Sequence, residues 1–184
     1  MKTTLVRLPR YADELTKEAE EAIQLLNGVW REATNLFLAD TDSSIKRKKK
    51  PPLGIQKYLN EIIDERFIQN DWDGEDSRFI KKETWIRVTF RHQMSLGSDF
   101  LDALRLIKTE KINQCILLAA DEDFLKLITP RDWRSICSFQ KVSALAAQLE
   151  KPFPSPIIIG ELKPESKISQ RAHELVYGLR LQGK

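Results

Sequence analysis

Thr84-Trp85-Ile86-Arg87-Val88-Thr89-Phe90 is the stretch from which the rest of the chain can be read. Ile86, Val88 and Phe90 alternate with Arg87 and Thr89, and Arg91 continues the polar series. Successive side chains of a strand point to opposite faces, so this period predicts a half-buried core strand with cations on its outward side. Arg78-Phe79-Ile80 supplies a short partner strand across a Lys81-Lys82-Glu83 turn. Downstream, Ser98 caps a helix running to about Lys108, with Phe100, Leu101, Leu104 and Ile107 inward. Cys115-Ile116-Leu117-Leu118-Ala119-Ala120 is a continuous apolar run, as expected of a strand covered on both faces by helices. Ser155-Pro156-Ile157-Ile158-Ile159-Gly160 reads as a third apolar strand, between a short helix at 141–149 and a closing helix at 165–181.

Upstream, residues 12–26 place Leu15, Ala19, Ala22, Ile23 and Leu26 at helical spacing, with Asp13 and Glu14 near the start, where the helix dipole favours acids. A second amphipathic stretch covers 29–38. Asp40-Thr41-Asp42-Ser43-Ser44 then reads as loop, followed by Lys46-Arg47-Lys48-Lys49-Lys50 and Pro51-Pro52, so a basic loop is expected over 40–52. Residues 55–69 form the clearest helix, with Ile55, Tyr58, Leu59, Ile62, Ile63 and Phe67 on one stripe. Residues 70–76 read as a polar turn. The order predicts an α/β domain over 1–184 with a mixed central sheet flanked by helices.

At 184 residues the chain can bury a proper core, and 41% hydrophobic with 31% charged residues is ordinary for a globular protein. No apolar run reaches the length of a membrane helix, and the first residues lack a secretory leader's apolar centre, so a cytoplasmic location without membrane attachment is expected. Cys115 and Cys137 read as reduced core residues, and two cysteines with two histidines make a poor zinc set. The net charge of +3 does not by itself demand nucleic acid. Where the cations sit matters more.

The run Pro52-Leu53-Gly54-Ile55-Gln56-Lys57-Tyr58-Leu59-Asn60-Glu61-Ile62, then Phe67-Ile68-Gln69-Asn70, Ser77-Arg78-Phe79 and Ile86-Arg87-Val88-Thr89-Phe90 resembles type II restriction endonucleases of the BglII/BamHI kind. The resemblance spans roughly residues 20–160 and rests on spacing and pattern. It implies a PD-(D/E)xK-like fold, DNA as partner, and Mg²⁺ held by an aspartate and a glutamate that flank the scissile phosphate. Arg78 stands at the aspartate position, Arg87 at the glutamate and Thr89 at the glutamine, while Asn70 matches an active-site asparagine. Guanidinium groups repel Mg²⁺, so the resemblance implies the scaffold without the family's metal acids, and no cofactor.

Asp76 and Glu83 are the substitute acids for a rearranged metal site. Glu161-Leu162-Lys163 is a second candidate, because Glu-x-Lys after a strand matches the other half of the nuclease pattern, with Asp121 or Asp123 as its acid. Lys46, Arg47, Lys48, Lys49, Lys50, Lys81, Lys82 and Arg91 are the candidate DNA contacts, since Lys and Arg neutralise phosphates. His92 and His173 have no partner at catalytic spacing, and the tryptophans read as core or core edge. Three readings follow. The first is a catalytically silent restriction-endonuclease-like DNA-binding protein, as a homodimer or as a subunit of a defence or DNA-processing assembly. The second is an active Mg²⁺-dependent endonuclease with a rearranged site. The third is a module docking an acidic protein partner.

Overall fold

The computed structural model describes residues 1–7, 15–109, 112–149 and 157–182. In chain order the elements are β1 (Lys2–Arg7), α1 (Lys17–Leu25), α2 (Val29–Lys46), α3 (Gln56–Gln69), β2 (Asp73–Glu75), β3 (Arg78–Lys81), β4 (Thr84–Thr89), α4 (Leu96–Thr109), β5 (Gln114–Ala120), α5 (Glu122–Ile128), α6 (Phe139–Leu149), β6 (Ile157–Lys163) and α7 (Gln170–Gln182). Ala12, Asp13 and Glu14, expected to open the first helix, lie outside the described residues, as do Ser155 and Pro156.

The strands form one six-stranded mixed sheet in the order β1-β6-β5-β4-β3-β2. The three central strands β4, β5 and β6 run parallel, and the flanking strands join antiparallel. Helices cover both faces, as the apolar run of β5 requires. On one face α1, α2, α3, α5 and α7 pack over Ile86, Val88, Ile116, Leu118 and Ile158. On the other, α4 and α6 cover Trp85, Cys115, Leu117, Ala119, Ile157 and Ile159. Among the described residues no helix is long and apolar enough to cross a membrane.

The sequence reading of β4 needs one correction. Every residue of that strand is buried, Arg87 and Thr89 included. Its second face is not solvated, because α4 lies across it with Phe100, Ala103 and Leu106. The helix is also rotated from the expected stripe, leaving Leu101 68% exposed.

Residues 40–46, expected as loop, are the last turns of α2. Tertiary contacts override their turn propensity. Thr41 is buried and returns its hydroxyl to the Phe37 carbonyl at 2.7 Å, Asp40 accepts from the Tyr58 hydroxyl at 2.5 Å, and Asp42 pairs with Arg171. The basic run therefore begins at a helix C-terminus, where cations complement the dipole. Two edge strands were not expected: β1, and β2 within the 70–76 turn. Gly74 permits the second, for a Cβ there would stand 2.0 Å from the Arg78 carbonyl oxygen.

One aromatic cluster fixes α3 to the hairpin of β3 and β4. Phe67 stacks on Phe79 at 4.3 Å between centroids and meets Trp72 edge-on at 5.3 Å. All three are buried, so Phe67→Ala should cost about 3–5 kcal/mol in urea denaturation. A loss under about 1 kcal/mol would show that this cluster does not anchor the helix.

Candidate nucleic-acid interface

β3 starts at Arg78, whereas β4 runs on past its partner Arg87 to Thr89. The outer edge of β4 is therefore left without a strand from Val88 onward. Two local contacts cover it: Val88 donates its N–H to the Ser77 carbonyl at 2.9 Å, and the Gln56 amide donates to the Phe90 carbonyl at 2.9 Å. Beside this edge lies a cleft of about 330 Å³, walled by Gln56, Asn60 and Asp64 of α3, by the turn at Asp76 and Ser77, and by Arg78, Arg87 and Arg91. The three α3 residues are spaced four apart, so they share one helix face.

The turn is conformationally costly. Asp76 and Ser77 both have positive φ, 51° and 59°, a region that costs non-glycine residues of order 1–3 kcal/mol each. Asp64 holds it from one side, accepting the Ser77 N–H at 2.8 Å. Arg87 holds it from the other, donating from Nη1 to the Asp76 carbonyl at 2.7 Å. Burial pushes the Asp64 carboxyl above its ordinary range, against the bonds from Ser77.

Arg87 and Asp99 are each only 3% exposed in their side chains and face one another with Nε 3.6 Å from Oδ1. The pair is imperfect: the Arg87 Nε and the second Asp99 oxygen make no hydrogen bond. Burial accordingly outweighs mutual attraction, lowering the guanidinium's pKa and raising the carboxyl's. Arg91, half-exposed, reaches the same Asp99 oxygen at 3.4 Å, and Arg78 meets Asp102 at 3.5 Å. The cleft therefore presents two half-exposed guanidiniums at its rim and one structural guanidinium beneath.

The motif positions do not form one site. Arg78 and Arg87 are cross-strand partners at the cleft, but Thr89 is fully buried and Asn70 lies at the other end of the hairpin. Asn70 closes α3, donates to the Arg66 carbonyl, and accepts from Lys81 through its own carbonyl. Lys81 is three residues along β3 from Arg78, about 10 Å away. Asn60 and Asp64 occupy the cleft instead. Their i, i+4 spacing after Gln56 was legible, yet the apolar stripe of the same helix drew the reading.

Lys81 and Lys82 also belong to that far end. Each pairs with an acid of α1, Lys81 with Glu21 at 2.8 Å and Lys82 with Glu18 at 2.5 Å. They lie at the end of the hairpin away from Arg91. Lys46, Arg47, Lys48, Lys49 and Lys50 are all exposed. Asp76 and Glu83 sit in the turns at opposite ends of β3, too far apart to share an ion. Among the described residues no group of three or more His, Cys, Asp or Glu is placed to hold a metal.

The structure does bring Asp121, Glu161 and Lys163 together. Lys163 Nζ lies 2.8 Å from Glu161 and 3.9 Å from Asp121, and the bond to Glu161 raises its pKa. Sheet register explains it, for Ala119 pairs with Glu161 and Ala120 with Leu162, which sets Asp121 beside Lys163. Asp121 is also the N-cap of α5, accepting the Phe124 N–H at 2.6 Å. Asp123 takes no part and pairs with Lys126.

Among solved structures, the chain is similar to the restriction endonuclease BglII complexed with a DNA 16-mer, with TM-score 0.51 and 16% identity over 91% of this chain and 80% of that one. The fold is restriction-endonuclease-like. Free BglII aligns with TM-score 0.49 and 13% identity, over 91% of this chain and 82% of that one. No family model and no curated protein sequence matches the chain. On this restriction-endonuclease-like scaffold, the buried pair can be tested through stability. Asp99→Ala should cost about 3–5 kcal/mol by stranding the Arg87 charge, whereas Arg87→Met with Asp99→Leu should come within about 1 kcal/mol of the native chain or exceed it. Equal losses in the two variants, read by chemical denaturation, would contradict the pairing.

Proposed function

We propose that this chain is a DNA-binding protein that grips the phosphate backbone at the arginine-lined cleft and does not cut there. It would serve as a homodimer or as a subunit of a defence or DNA-processing assembly. One observation carries the reading: Arg78, Arg87 and Arg91 converge on a cleft at an open strand edge of a restriction-endonuclease-like sheet. The half-exposed Arg78 and Arg91 each offer planar, bidentate donors suited to phosphate oxygens. The solved BglII complex contains DNA, which supports the choice of partner. The motif positions carry no carboxylate, and of the two acids that line the cleft Asp64 already accepts the Ser77 N–H, while three guanidiniums beside them disfavour Mg²⁺.

A second reading, an endonuclease with a rearranged site, is favoured by the Asp121, Glu161 and Lys163 constellation. Asp121 and Glu161 would hold Mg²⁺, which takes one or two carboxylates and completes its shell with water. The metal would polarise the scissile phosphate, and Lys163 would orient a water from the side it now occupies.

Mobility-shift and cleavage assays on mixed-sequence duplex, with and without Mg²⁺ or Mn²⁺, separate the readings. The expected outcome is binding that weakens steeply with salt, no cleavage, and a roughly tenfold loss of affinity in Arg91→Ala at low salt. Cleavage abolished by Glu161→Ala but kept in Asp76→Ala would establish the rearranged site. Absence of DNA binding at low salt would overturn both.

A further inference from the structure

The arginine-lined cleft shares two wall residues with a larger one. A second cleft, about 620 Å³, lies between the end of α2, the start of α3 and the segment after α5. Gln56 and Asn60 line both. Its shape depends on a close backbone approach: Ile55 donates its N–H to the Ile128 carbonyl at 2.9 Å, and a Cβ on Gly54 would stand 2.6 Å from that oxygen. Residue 54, just before the helix N-cap Ile55, must therefore be glycine for the walls to meet at this distance.

Charge in the second cleft favours an anion. Lys50, Lys57 and Arg131 line it, against Asp40 and Asp132. Asp40 is engaged by the Tyr58 hydroxyl, and Lys57 is largely exposed, with a 3.8 Å surface pairing to Glu61 and its ammonium 5.5 Å from the centre of the Tyr58 ring. The exposed Lys46, Arg47, Lys48 and Lys49 stand immediately before Lys50 and add to the positive field at this mouth. Between the cationic ends, the groove floor offers neutral amides from Gln56 and Asn60. Asp64 and Asp76 also line the arginine end, where Asp64 is held by the Ser77 N–H, so the cations stand apart along the groove and suit a chain of spaced phosphates better than one compact anion. From Gln56 to Asp64 the helix rises about 12 Å, a length over which a DNA strand carries about three phosphates.

We propose that the two clefts form one groove along α3, and that Lys50, Lys57 and Arg131 are a second phosphate subsite for the DNA strand held by Arg78 and Arg91. This rests on the DNA-binding reading above and adds the path of the backbone and the residues that follow it. Asn60, at the junction, faces the sugar-phosphate between the two subsites.

The test is the salt dependence of binding of the full chain to a fluorescent mixed-sequence duplex. Each cation that neutralises a phosphate contributes about 0.9 to the slope of log K against log salt. Lys57→Gln and Arg131→Gln should each make the slope shallower by about one, and the double variant by about two. Lys57→Gln changes an exposed residue and reads the subsite even if Arg131→Gln proves unstable. Lys17→Gln, at the exposed start of α1, should leave the slope unchanged. If the native chain binds no duplex, the DNA reading itself fails. If it binds, and Arg91→Ala flattens the slope while Lys57→Gln and Arg131→Gln do not, only the second subsite is overturned. Competition by polyglutamate as effective as by DNA would assign the groove to an acidic protein and overturn it as well.

Discussion

Arg87 is the point on which several parts of the molecule converge. Its guanidinium lies under α4, faces Asp99 of that helix on the same side of the sheet, and donates to the carbonyl of a turn with two non-glycine residues at positive φ. A buried charge is unfavourable unless compensated, so its surroundings are constrained: an acid in the first turn of α4, and a carbonyl presented by the turn. Those constraints set where α4 crosses β4 and where β3 departs from it. That departure opens the cleft. Arg87 thus shapes the site's architecture rather than its exposed surface.

α3 connects this arrangement to the core. Its C-terminal half is tied through Phe67 to Phe79 and Trp72, and its N-terminal half faces the clefts with Gln56, Asn60 and Asp64. A helix of this length moves as a rigid body, so the aromatic cluster sets the position of the polar face. Asp64 completes the link by holding Ser77, so the turn is clamped between the helix and Arg87. Polar groups on rigid, packed elements need little reorganisation to meet a ligand, and binding then loses less entropy.

Much of the architecture was legible in the sequence. The apolar runs of β5 and β6 and the stripe of α3 carry periods that survive any tertiary context, and the mixed sheet between helices follows from their order. What was not legible came from contacts between distant segments. The alternation in β4 cannot show what covers its second face, and the acid that neutralises Arg87 lies in another element. The turn-forming residues 40–46 stay helical because Thr41 is buried and Asp40 and Asp42 find partners in α3 and α7. The nuclease pattern located the hairpin, but Asn70 fell at its wrong end because linear spacing does not give the direction of α3 along it. The meeting of Asp121 with Glu161 and Lys163 depends on the parallel register of β5 and β6, which no single strand specifies.

The arginines at the hairpin decide what the cleft can do with a phosphate. A metal held by carboxylates binds the phosphate and also supplies an activated water, so its stabilisation grows as charge develops. A guanidinium already paired with a carboxylate meets a phosphate by displacing or sharing that partner, and by itself supplies neither a metal nor an activated water. The partnered state of Arg78 and Arg91 also lowers the affinity available from each contact, because Asp102 and Asp99 compete with the phosphate. A backbone grip built from such contacts has to be distributed over several of them. A long groove along α3 provides that distribution, whereas a single deep pocket would not.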